Sequence, residues 1–295
     1  MKATDDPLLI ATLPMQIVKF PRKMQAISEA LRQCGKIIGF VPTMGAIHDG
    51  HLKLIEIART GADIVVVSIF VNPAQFGPKE DFRKYPRPFK SDCSKLKKAG
   101  VDIIFHPSVK DIYPDGFSTY IDIGHIGDFL EGASRPGHFR GVATICAKLF
   151  NIVKPHFALF GQKDGQQLAI IRRMVRDLNL DLEIIKGPIA RTKTGIALSS
   201  RHKYLSKSAL DKAQVIHQSL ELAENLIKIG IRKTSTIEKK MLSLIESVPG
   251  AQLEYIAFNR WDDLAALRKL SGEVMISLVV KIAGVRLLDN VILKT

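Results

Sequence analysis

The chain has 295 residues, of which 46% are hydrophobic and 24% charged, a composition typical of a globular protein with a sizeable core and about two domains. No stretch reaches the ~18 consecutive apolar residues of a membrane-spanning helix, and the N-terminal residues lack the apolar core of a secretory signal, so we expect a cytoplasmic protein without a membrane partner. The net charge of +14 attracts anions, but the basic residues are scattered and only 7% of the residues are aromatic, which argues against a nucleic-acid partner.

Over the first two thirds of the chain, short apolar runs alternate with patterns of helical spacing. Strands are predicted at 36–42, 62–72, 101–107, 156–161 and 182–189. Helices are predicted at 51–60, 88–100, 141–153 and 166–178. Because the strands are continuously apolar, we expect a parallel sheet that is covered by helices on both faces. This pattern predicts a doubly wound, Rossmann-like α/β domain over residues 1–189.

The alternation stops near Ile189, and a loop that contains glycine and serine follows. Helices are predicted next at 207–228 and 233–247, and strands at 253–259, 273–283 and 285–293. This order predicts a smaller α+β domain over residues 190–295.

The segment that joins the predicted strand at 36–42 to the predicted helix at 51–60 reads PTMGAIHDGH, from Pro42 to His51. Ligands of open α/β sheets bind at the carboxyl ends of the strands, and a helix N-terminus there favours an anion. The glycines allow the backbone to approach a ligand closely, and imidazoles at His48 and His51 can donate hydrogen bonds to phosphate oxygens. The segment matches neither a P-loop nor a dinucleotide-binding fingerprint, so the pattern favours a phosphate site of another kind.

Two other interpretations of the histidine pair remain at this point. The histidines could be polar residues at a corner of the fold, without a ligand. They could also bind zinc, but no third ligand is paired nearby. The cysteines Cys34, Cys93 and Cys146 lie far apart and form no Cys-x-x-Cys pair, which argues against a cysteine zinc site and against a disulfide framework.

The His-Asp-Gly-His element from His48 to His51 resembles the His-x-Gly-His signature of the nucleotidyltransferase superfamily, which includes class I aminoacyl-tRNA synthetases. Five further motifs lie at the ends of predicted strands or in adjoining loops: NPAQF (72–76), EDFRKYPR (80–87), GASRPGHFRGVATICAKLFNIV (132–153), FGQKDGQQLAIIRRM (160–174) and IALSSR (196–201). From about residue 12 to the C-terminus, including AGVRLLDNVIL near the end, the chain closely resembles the pantothenate synthetase family.

The resemblance implies an enzyme that joins (R)-pantoate to β-alanine with ATP, forming pantothenate for coenzyme A biosynthesis. The pantoate carboxylate would first be activated as a pantoyl-adenylate with release of pyrophosphate, and the amine would then displace AMP. The first step requires charge neutralisation at the phosphates more than a nucleophilic side chain. Residues 1–189 would then bind ATP and pantoate, and residues 190–295 would serve as a lid.

The same resemblance assigns roles to individual residues. His51, as the proton donor, His48 and Lys163 would be catalytic, and Gln75 and Gln167 would bind pantoate, with Gln75 also near β-alanine. The implied ATP-binding residues are Met44, Gly45, His48, Gly50, His51, Gly161, Gln162, Lys163, Asp164, Ala190, Leu198, Ser199, Ser200 and Arg201. Lys163 suits a phosphate as a point charge at a helix start, and the hydroxyls and guanidinium of 199–201 suit phosphate oxygens.

ATP chemistry also implies Mg²⁺, which bridges phosphate oxygens and usually keeps several waters. Its ligands are not identified by the sequence: Asp92 is either a ligand or outer partner of the ion, or a solvated carboxylate on a helix. His138, within RPGHF, either contacts the ligand or packs inside its own loop. Members of the family are typically dimers through the N-terminal domain, so the resemblance predicts a homodimer.

The chain departs from the family pattern at three positions. Thr194 stands where an aspartate is usual, Gly165 where a bulkier residue is common, and His202 where an asparagine usually follows Ser-Ser-Arg. None of these residues is assigned to catalysis, so the departures concern the loop and the local nucleotide contacts rather than the reaction.

Two rival functions are weighed against this one. A related nucleotidyltransferase would leave AMP on a phosphorylated product, but Gln75 and Gln167 suit an uncharged polyol acid better. A non-catalytic RNA-binding module would need lysines clustered on one face with interleaved aromatic residues, and the sequence offers neither.

Overall fold

The computed structural model describes residues 14–78, 80, 82–199, 202 and 204–295. These residues form two compact units. One comprises the described residues up to Gly161 together with Ile170–Gly187, and the other comprises Gln162–Ala169 and Pro188–Thr295. Residues 162–169 thus belong to the second unit. The binding and lid roles that the sequence assigns to the two parts of the chain stay predictions.

The first unit is built on a six-stranded sheet. Its strands are β1 (Gln16–Val18), β2 (Ile38–Thr43), β3 (Ile64–Ile69), β4 (Ile103–Phe105), β5 (Phe157–Gly161) and β6 (Glu183–Gly187). They lie in the order β1-β4-β3-β2-β5-β6, and every neighbouring pair is parallel. The predicted Rossmann-like sheet is therefore confirmed, and the carboxyl ends of β2, β3 and β5 meet at one edge.

Helices connect these strands. They are α1 (Pro21–Gln33), α2 (Asp49–Gly61), α3 (Phe89–Lys98), α4 (Val109–Ile112), α5 (Glu131–Ser134), α6 (His138–Val153) and α7 (Gly165–Asp177), the last of which begins in the second unit. Single turns of 3-10 helix occur at Pro73–Gln75, Phe82–Lys84, Gly124–Gly127 and Gln162–Asp164. Within the described ranges, no helix combines the length and the apolar character needed to cross a membrane.

The sequence pattern predicts neither β1 nor α1. Helix α1 begins with Pro21, a residue type whose fixed φ suits the first helical position. It buries Met24, Ser28 and Leu31 along one stripe. Because a serine occupies the middle of that stripe, the apolar periodicity that marks the other helices is interrupted here.

The core of the first unit holds the loop that follows β2. Ile47, which lies in that loop, is buried in the same cluster as Val41, Leu54 and Val67. Burial of an isoleucine side chain stabilises the fold by about 2 kcal/mol. The loop is therefore anchored to the core by an apolar side chain immediately before His48.

The second unit is an antiparallel sheet with two long helices. Its helices are α8 (Lys207–Lys228) and α9 (Thr234–Glu246), and its strands β7 (Ala251–Arg260), β8 (Glu273–Ile282) and β9 (Val285–Lys294) pair in the order β7-β8-β9. One apolar cluster contains Ile216 and Leu220 of α8, Ile237 of α9, and Ile276 and Leu278 of β8. The predicted small α+β fold is confirmed, with element ends within three residues of the predicted ones.

Candidate active site

The turn after β2 has a backbone conformation that glycine adopts most readily. Gly45 has φ of +83° and Ala46 of +52°, both in the left-handed region. A Cβ on Gly45 would lie 3.1 Å from Asp92 Oδ2. The Thr43 hydroxyl donates to the Ser68 carbonyl at 2.6 Å and accepts from the Gly45 N–H at 3.1 Å. The loop is thus tied to the end of the neighbouring strand β3.

Two side chains of α3 hold the next peptides of this loop. The Asp92 carboxylate accepts from the N–H groups of Ala46 at 2.9 Å and of Ile47 at 2.8 Å, one on each oxygen. Lys95, one turn further along α3, donates from Nζ to the Ile47 carbonyl at 2.6 Å. Asp92 is only 1% exposed, so the interpretation of this residue as a solvated helix carboxylate is wrong. Its two oxygens instead fix the shape of the loop that carries the histidines.

We expect Asp92→Asn to lower the free energy of unfolding by about 1.5–3 kcal/mol, the usual worth of buried hydrogen bonds to a charged group. The amide nitrogen would face one of the two loop N–H groups, so a donor would meet a donor. Denaturant unfolding followed by circular dichroism measures the change. The control is Asp115→Asn, which removes the same charge from an exposed position. Equal stability of the two variants would contradict the role given to Asp92.

The two histidines of the loop are stacked at the N-terminus of α2. Their ring centroids lie 4.0 Å apart with an interplanar angle of 25°. His48 is the N-cap residue, and its Nδ1 accepts from the Gly50 N–H at 3.2 Å. Nδ1 of His51 accepts from the His48 N–H at 3.5 Å. Because both Nδ1 atoms accept, the hydrogen of each neutral imidazole is on Nε2, and both rings are donors through that atom.

The same arrangement leaves little room for a side chain at Gly50. A Cβ at this position would lie 3.0 Å from Cε1 and 3.1 Å from Nδ1 of His48. A larger residue would displace the imidazole that caps the helix. The two histidines therefore form the cap of α2. The interpretations of the pair as corner residues and as a phosphate site both stay predictions.

Gln75 follows β3 in the turn Pro73–Gln75 and has a fixed side-chain amide. The buried Asn72 donates from Nδ2 to Gln75 Oε1 at 3.0 Å. Tyr113 donates its hydroxyl to Asn72 Oδ1 at 2.8 Å, and burial raises the pKa of this phenol, so the hydroxyl stays protonated. Gln75 Nε2 donates to Met44 Sδ at 3.2 Å. The Asn72 contact thus fixes which end of the Gln75 amide is the oxygen, and Nε2 has a second hydrogen besides the one directed at Met44 Sδ.

His138 supports the backbone of the same turn. Its Nδ1 lies 2.8 Å from the Gln75 carbonyl, and its Nε2 lies 3.1 Å from Nη1 of Arg135. A carbonyl only accepts, so the hydrogen is on Nδ1 and Nε2 accepts from the guanidinium. Arg135 also binds both carboxylate oxygens of Glu80, at 2.8 and 2.6 Å, and this hydrogen bonding holds the pKa of Glu80 below its usual value. These contacts favour loop packing as the role of His138.

In the second unit, Lys163 lies in the turn Gln162–Asp164 that directly follows β5 in the chain. Its Nζ is 3.4 Å from Asp164 Oδ1, which is within ion-pair distance. His202 is close enough for the Lys163 charge to act on it. Burial first, and the Lys163 charge second, lower the pKa of His202. The imidazole that replaces the usual asparagine is therefore neutral at pH 7.

Ala190 and Leu198 are brought together by a short hairpin of the second unit. The Leu198 N–H donates to the Ala190 carbonyl at 2.8 Å, and Arg191 pairs with Ala197 in an antiparallel bridge. The hydroxyl of Thr194, the residue that replaces the usual aspartate, lies 2.9 Å from the Thr192 hydroxyl near the tip. Ser199 follows directly at the end of this hairpin.

The comparisons with known proteins decide the family. Residues 16–292 match the sequence model described as Pantoate-beta-alanine ligase. The chain belongs to the pantoate-beta-alanine ligase family. It is 47% identical over 279 residues to the pantothenate synthetase of Thermotoga petrophila, covering 95% of this chain and 100% of that protein. It is 48% identical over 279 residues to that of Geobacter sulfurreducens, covering 95% and 99%.

Solved structures of the ligase family have the same fold. The pantothenate synthetase of Thermus thermophilus matches with a TM-score of 0.86 and 39% identity, covering 94% of this chain and 99% of that one. The pantoate-beta-alanine ligase of Francisella tularensis, complexed with beta-gamma ATP and beta-alanine, matches with a TM-score of 0.74 and 37% identity, covering 94% and 97%. The resemblance inferred from the motifs is therefore confirmed.

The residues to which the ligase resemblance assigns a role divide between the two units. The first unit contains Met44, Gly45, His48, Gly50, His51, Gln75 and Gly161. The second contains Gln162, Lys163, Asp164, Gln167, Ala190, Leu198 and Ser199. Ser200 and Arg201 lie outside the described residues.

Several supporting residues of this ligase are not identified by the sequence analysis. Asn72 and Tyr113 orient Gln75, and Lys95 holds the histidine loop. Asn72 lies inside the NPAQF motif, so the sequence could have identified it as a residue of the site. Tyr113 and Lys95 belong to segments without a motif, and only the contact itself identifies them.

Proposed function

We propose that this chain condenses (R)-pantoate with β-alanine at the expense of ATP, through a pantoyl-adenylate, and releases pantothenate, AMP and pyrophosphate. The observation that carries the proposal is the stacked pair His48 and His51 at the N-terminus of α2, in a chain of the pantoate-beta-alanine ligase family. Two Nε2–H donors at the positive end of a helix suit an anionic phosphate chain. The ATP and β-alanine in the Francisella tularensis ligase support the same pair of substrates.

In the first step, a carboxylate oxygen of pantoate attacks the α-phosphorus of ATP. A bond forms between that oxygen and phosphorus, the bond from phosphorus to the bridging oxygen of the β-phosphate breaks, and pyrophosphate leaves with the electron pair. Negative charge grows on the leaving group, so fixed donors and cations lower the barrier. We assign this role to the Nε2–H groups of His48 and His51 and to the ammonium of Lys163.

In the second step, the β-alanine amine attacks the acyl carbon of the adenylate. The C–N bond forms, the bond between the acyl carbon and the phosphate oxygen breaks, and AMP leaves. The amine loses a proton as the amide forms. We assign His51 as the proton donor of the reaction: its Nε2–H gives a proton to the departing phosphate oxygen of AMP, and the proton that the amine loses restores it.

We assign pantoate binding to Gln75 and Gln167. Asn72 fixes the Gln75 amide with its NH₂ group as the donor, which suits a hydroxyl or carboxylate oxygen of pantoate. Gln167 is half-buried in the first turn of α7. We assign ATP binding to the residues for which the family resemblance implies it. They include Met44, whose sulfur the Gln75 amide contacts.

We further propose that Mg²⁺ arrives with ATP as its counter-ion. Among the described residues, no group of three His, Cys, Asp or Glu side chains could hold a metal ion, and both oxygens of Asp92 bind backbone N–H groups. The chain therefore offers no protein cage for the ion within its described part, and no step above passes through it. A homodimer and a cytoplasmic location complete the proposal.

The test is to incubate the chain with pantoate, β-alanine and Mg-ATP and to measure AMP, pyrophosphate and pantothenate. We expect equal amounts of the three products, with AMP release dependent on β-alanine. AMP that remains attached to a phosphorylated product would instead show the rival nucleotidyltransferase. Salt-dependent RNA binding without pyrophosphate exchange would show the RNA-binding alternative.

Gly141 provides a test of the Gln75 assignment. A Cβ at this position of α6 would lie 2.1 Å from the Ala74 carbonyl oxygen and 2.7 Å from the Gln75 nitrogen. We expect Gly141→Ala to push the Pro73–Gln75 turn aside, to destabilise the fold by about 1–3 kcal/mol, and to raise the KM for pantoate ~10-fold. Steady-state kinetics and thermal melting measure these changes.

The control for this prediction is Gly61→Ala, at the end of α2, where a Cβ would approach other atoms no closer than 3.4 Å. An alanine in a helix is ordinarily favourable by up to ~1 kcal/mol over glycine, so this variant should keep or gain stability. An unchanged KM for pantoate in Gly141→Ala would count against Gln75 as a pantoate ligand.

A further inference from the structure

Strand β9 carries two adjacent polar residues in the interior of the second unit. Asp289 is 2% exposed and Asn290 is 1% exposed, although both lie within a regular antiparallel pairing with β8. Successive residues of a strand point to opposite faces of the sheet, so the two side chains serve different neighbours. Buried polar groups are costly unless they are hydrogen-bonded, which makes their partners informative.

Asn290 binds the turn that carries Lys163. Its Nδ2 donates to the carbonyls of Gln162 and Lys163, each at 2.9 Å, and its Oδ1 accepts from Gln162 Nε2 at 3.4 Å. Both hydrogens of the amide nitrogen are thus used on consecutive peptides. The backbone from which the Lys163 side chain extends is therefore fixed by a single asparagine.

Gly165 fits the same arrangement. A Cβ on this residue would lie 2.7 Å from Met275 Sδ and 3.2 Å from Asn290 Nδ2. The Gln162–Asp164 turn approaches β8 and β9 so closely that a side chain on the next residue would disturb both contacts. The departure from the family pattern at Gly165 therefore accompanies a tightly held turn.

Asp289 binds the hairpin that contains Ala190 and Leu198. Its carboxylate accepts from Nη1 and Nη2 of Arg191 at 2.6 and 3.1 Å, a bidentate pair. Nη1 of Arg191 also donates to the Gly195 carbonyl at 2.9 Å, which closes the hairpin from inside. One guanidinium thus connects β9 to both arms of this segment.

We propose that Asp289 and Asn290 are positioning residues that hold two ATP-binding segments, the Gln162–Asp164 turn and the hairpin of residues 190–198, in their binding geometry. The inference rests on the proposed function, because those segments are assigned to ATP there. The pair touches no residue assigned to the reacting atoms except through the backbone of Lys163. Its loss should therefore weaken ATP binding and turnover while leaving pantoate binding nearly unchanged.

The experiment compares Asn290→Leu with Asn259→Leu in the full chain. Asn259 is a buried asparagine of β7, on the other side of β8 in the same sheet, and its Nδ2 donates to the Leu264 carbonyl at 2.7 Å, outside both segments. Both substitutions replace a buried amide by an apolar group of similar size in the same sheet. A merely structural role predicts lower melting temperatures and the same kinetic constants for both variants.

We expect Asn290→Leu to raise the KM for ATP by ~10-fold or more, with the KM for pantoate within about twofold of the original. Asn259→Leu should lower the melting temperature without raising the KM for ATP relative to the KM for pantoate. Equal effects of Asn290→Leu on both KM values, or none on the KM for ATP, would overturn the proposal. If Asn290→Leu does not fold, Asn290→Ser, which retains one donor, is used instead. It should raise the KM for ATP by a smaller factor and leave the KM for pantoate nearly unchanged. An unchanged KM for ATP in Asn290→Ser would also overturn the proposal.

Failure of the proposed function is distinguishable from failure of this inference. The former shows in the unsubstituted chain, as a lack of β-alanine-dependent AMP release. The latter shows only in the variants, when the unsubstituted chain is active and Asn290→Leu binds ATP normally.

Discussion

Replacing Lys163 by methionine should reduce kcat for AMP formation by ~100-fold or more. The substitution preserves the apolar stem of the side chain and removes only the ammonium. Removal of one fixed group that stabilises developing charge typically costs ~3 kcal/mol in the barrier, which corresponds to this factor. Lys163 has no general acid or base role in the proposal, so the shape of the pH profile should remain.

The step affected is identified by isotope exchange between pyrophosphate and ATP in the presence of pantoate, which reports adenylate formation alone. Lys163→Met should lose exchange and overall turnover in the same proportion. Lys240→Met removes the same charge from an exposed position of α9 and should leave both rates unchanged. Near-normal exchange in Lys163→Met would remove Lys163 from the adenylation step.

Substituting His51 by alanine should also reduce kcat by ~100-fold or more, because it removes both a donor to the phosphates and the assigned proton donor. The fold should survive, since losing a capping contact at the start of a helix costs about 0.5–2 kcal/mol. His125→Ala, which changes an exposed histidine, is the matched control and should retain full activity. Full activity of His51→Ala would end its assignment.

The pH dependence of kcat separates the two histidines. If His51 donates the proton, His51→Ala should lose one limb of the pH profile, whereas His48→Ala should lower the whole profile and keep its shape. Nδ1 of His51 accepts from the His48 backbone, while Nδ1 of His48 accepts from Gly50, so each ring can be removed without removing the acceptor that the other provides. The opposite pattern would assign the proton transfer to His48.

The regular part of the fold was predictable because its signals are local. Strand β3 is buried at all six of its positions, and every residue except Ser68 is apolar, so the sequence indicates a parallel strand that is covered on both faces. Helices α8 and α9 were predictable for the same reason, because their apolar residues recur at helical spacing. Strand β1 has three residues, and α1 has a serine in its buried stripe, so neither gives a sufficient local pattern.

The supporting contacts of the candidate site were not predictable for a different reason. Asp92 reaches the loop 45 residues away, and Asn290 reaches Lys163 127 residues away, so no window of the sequence contains both partners. From composition alone, an aspartate on a helix rich in lysine is expected to be exposed to solvent. Its burial follows from the packing of α3 against the loop, which becomes visible only in three dimensions.

The fixed amide of Gln75 has a consequence for substrate selection. A glutamine that can rotate by a half-turn accepts either a donor or an acceptor from its ligand, and it therefore tolerates chemical change in the ligand. Asn72 removes that freedom, because its own amide is oriented by the Ala74 N–H at Oδ1 and by the Gly141 carbonyl at Nδ2. If Gln75 binds pantoate as proposed, its NH₂ group favours an oxygen lone pair over an ammonium of the same size, because two sets of N–H groups would otherwise face each other.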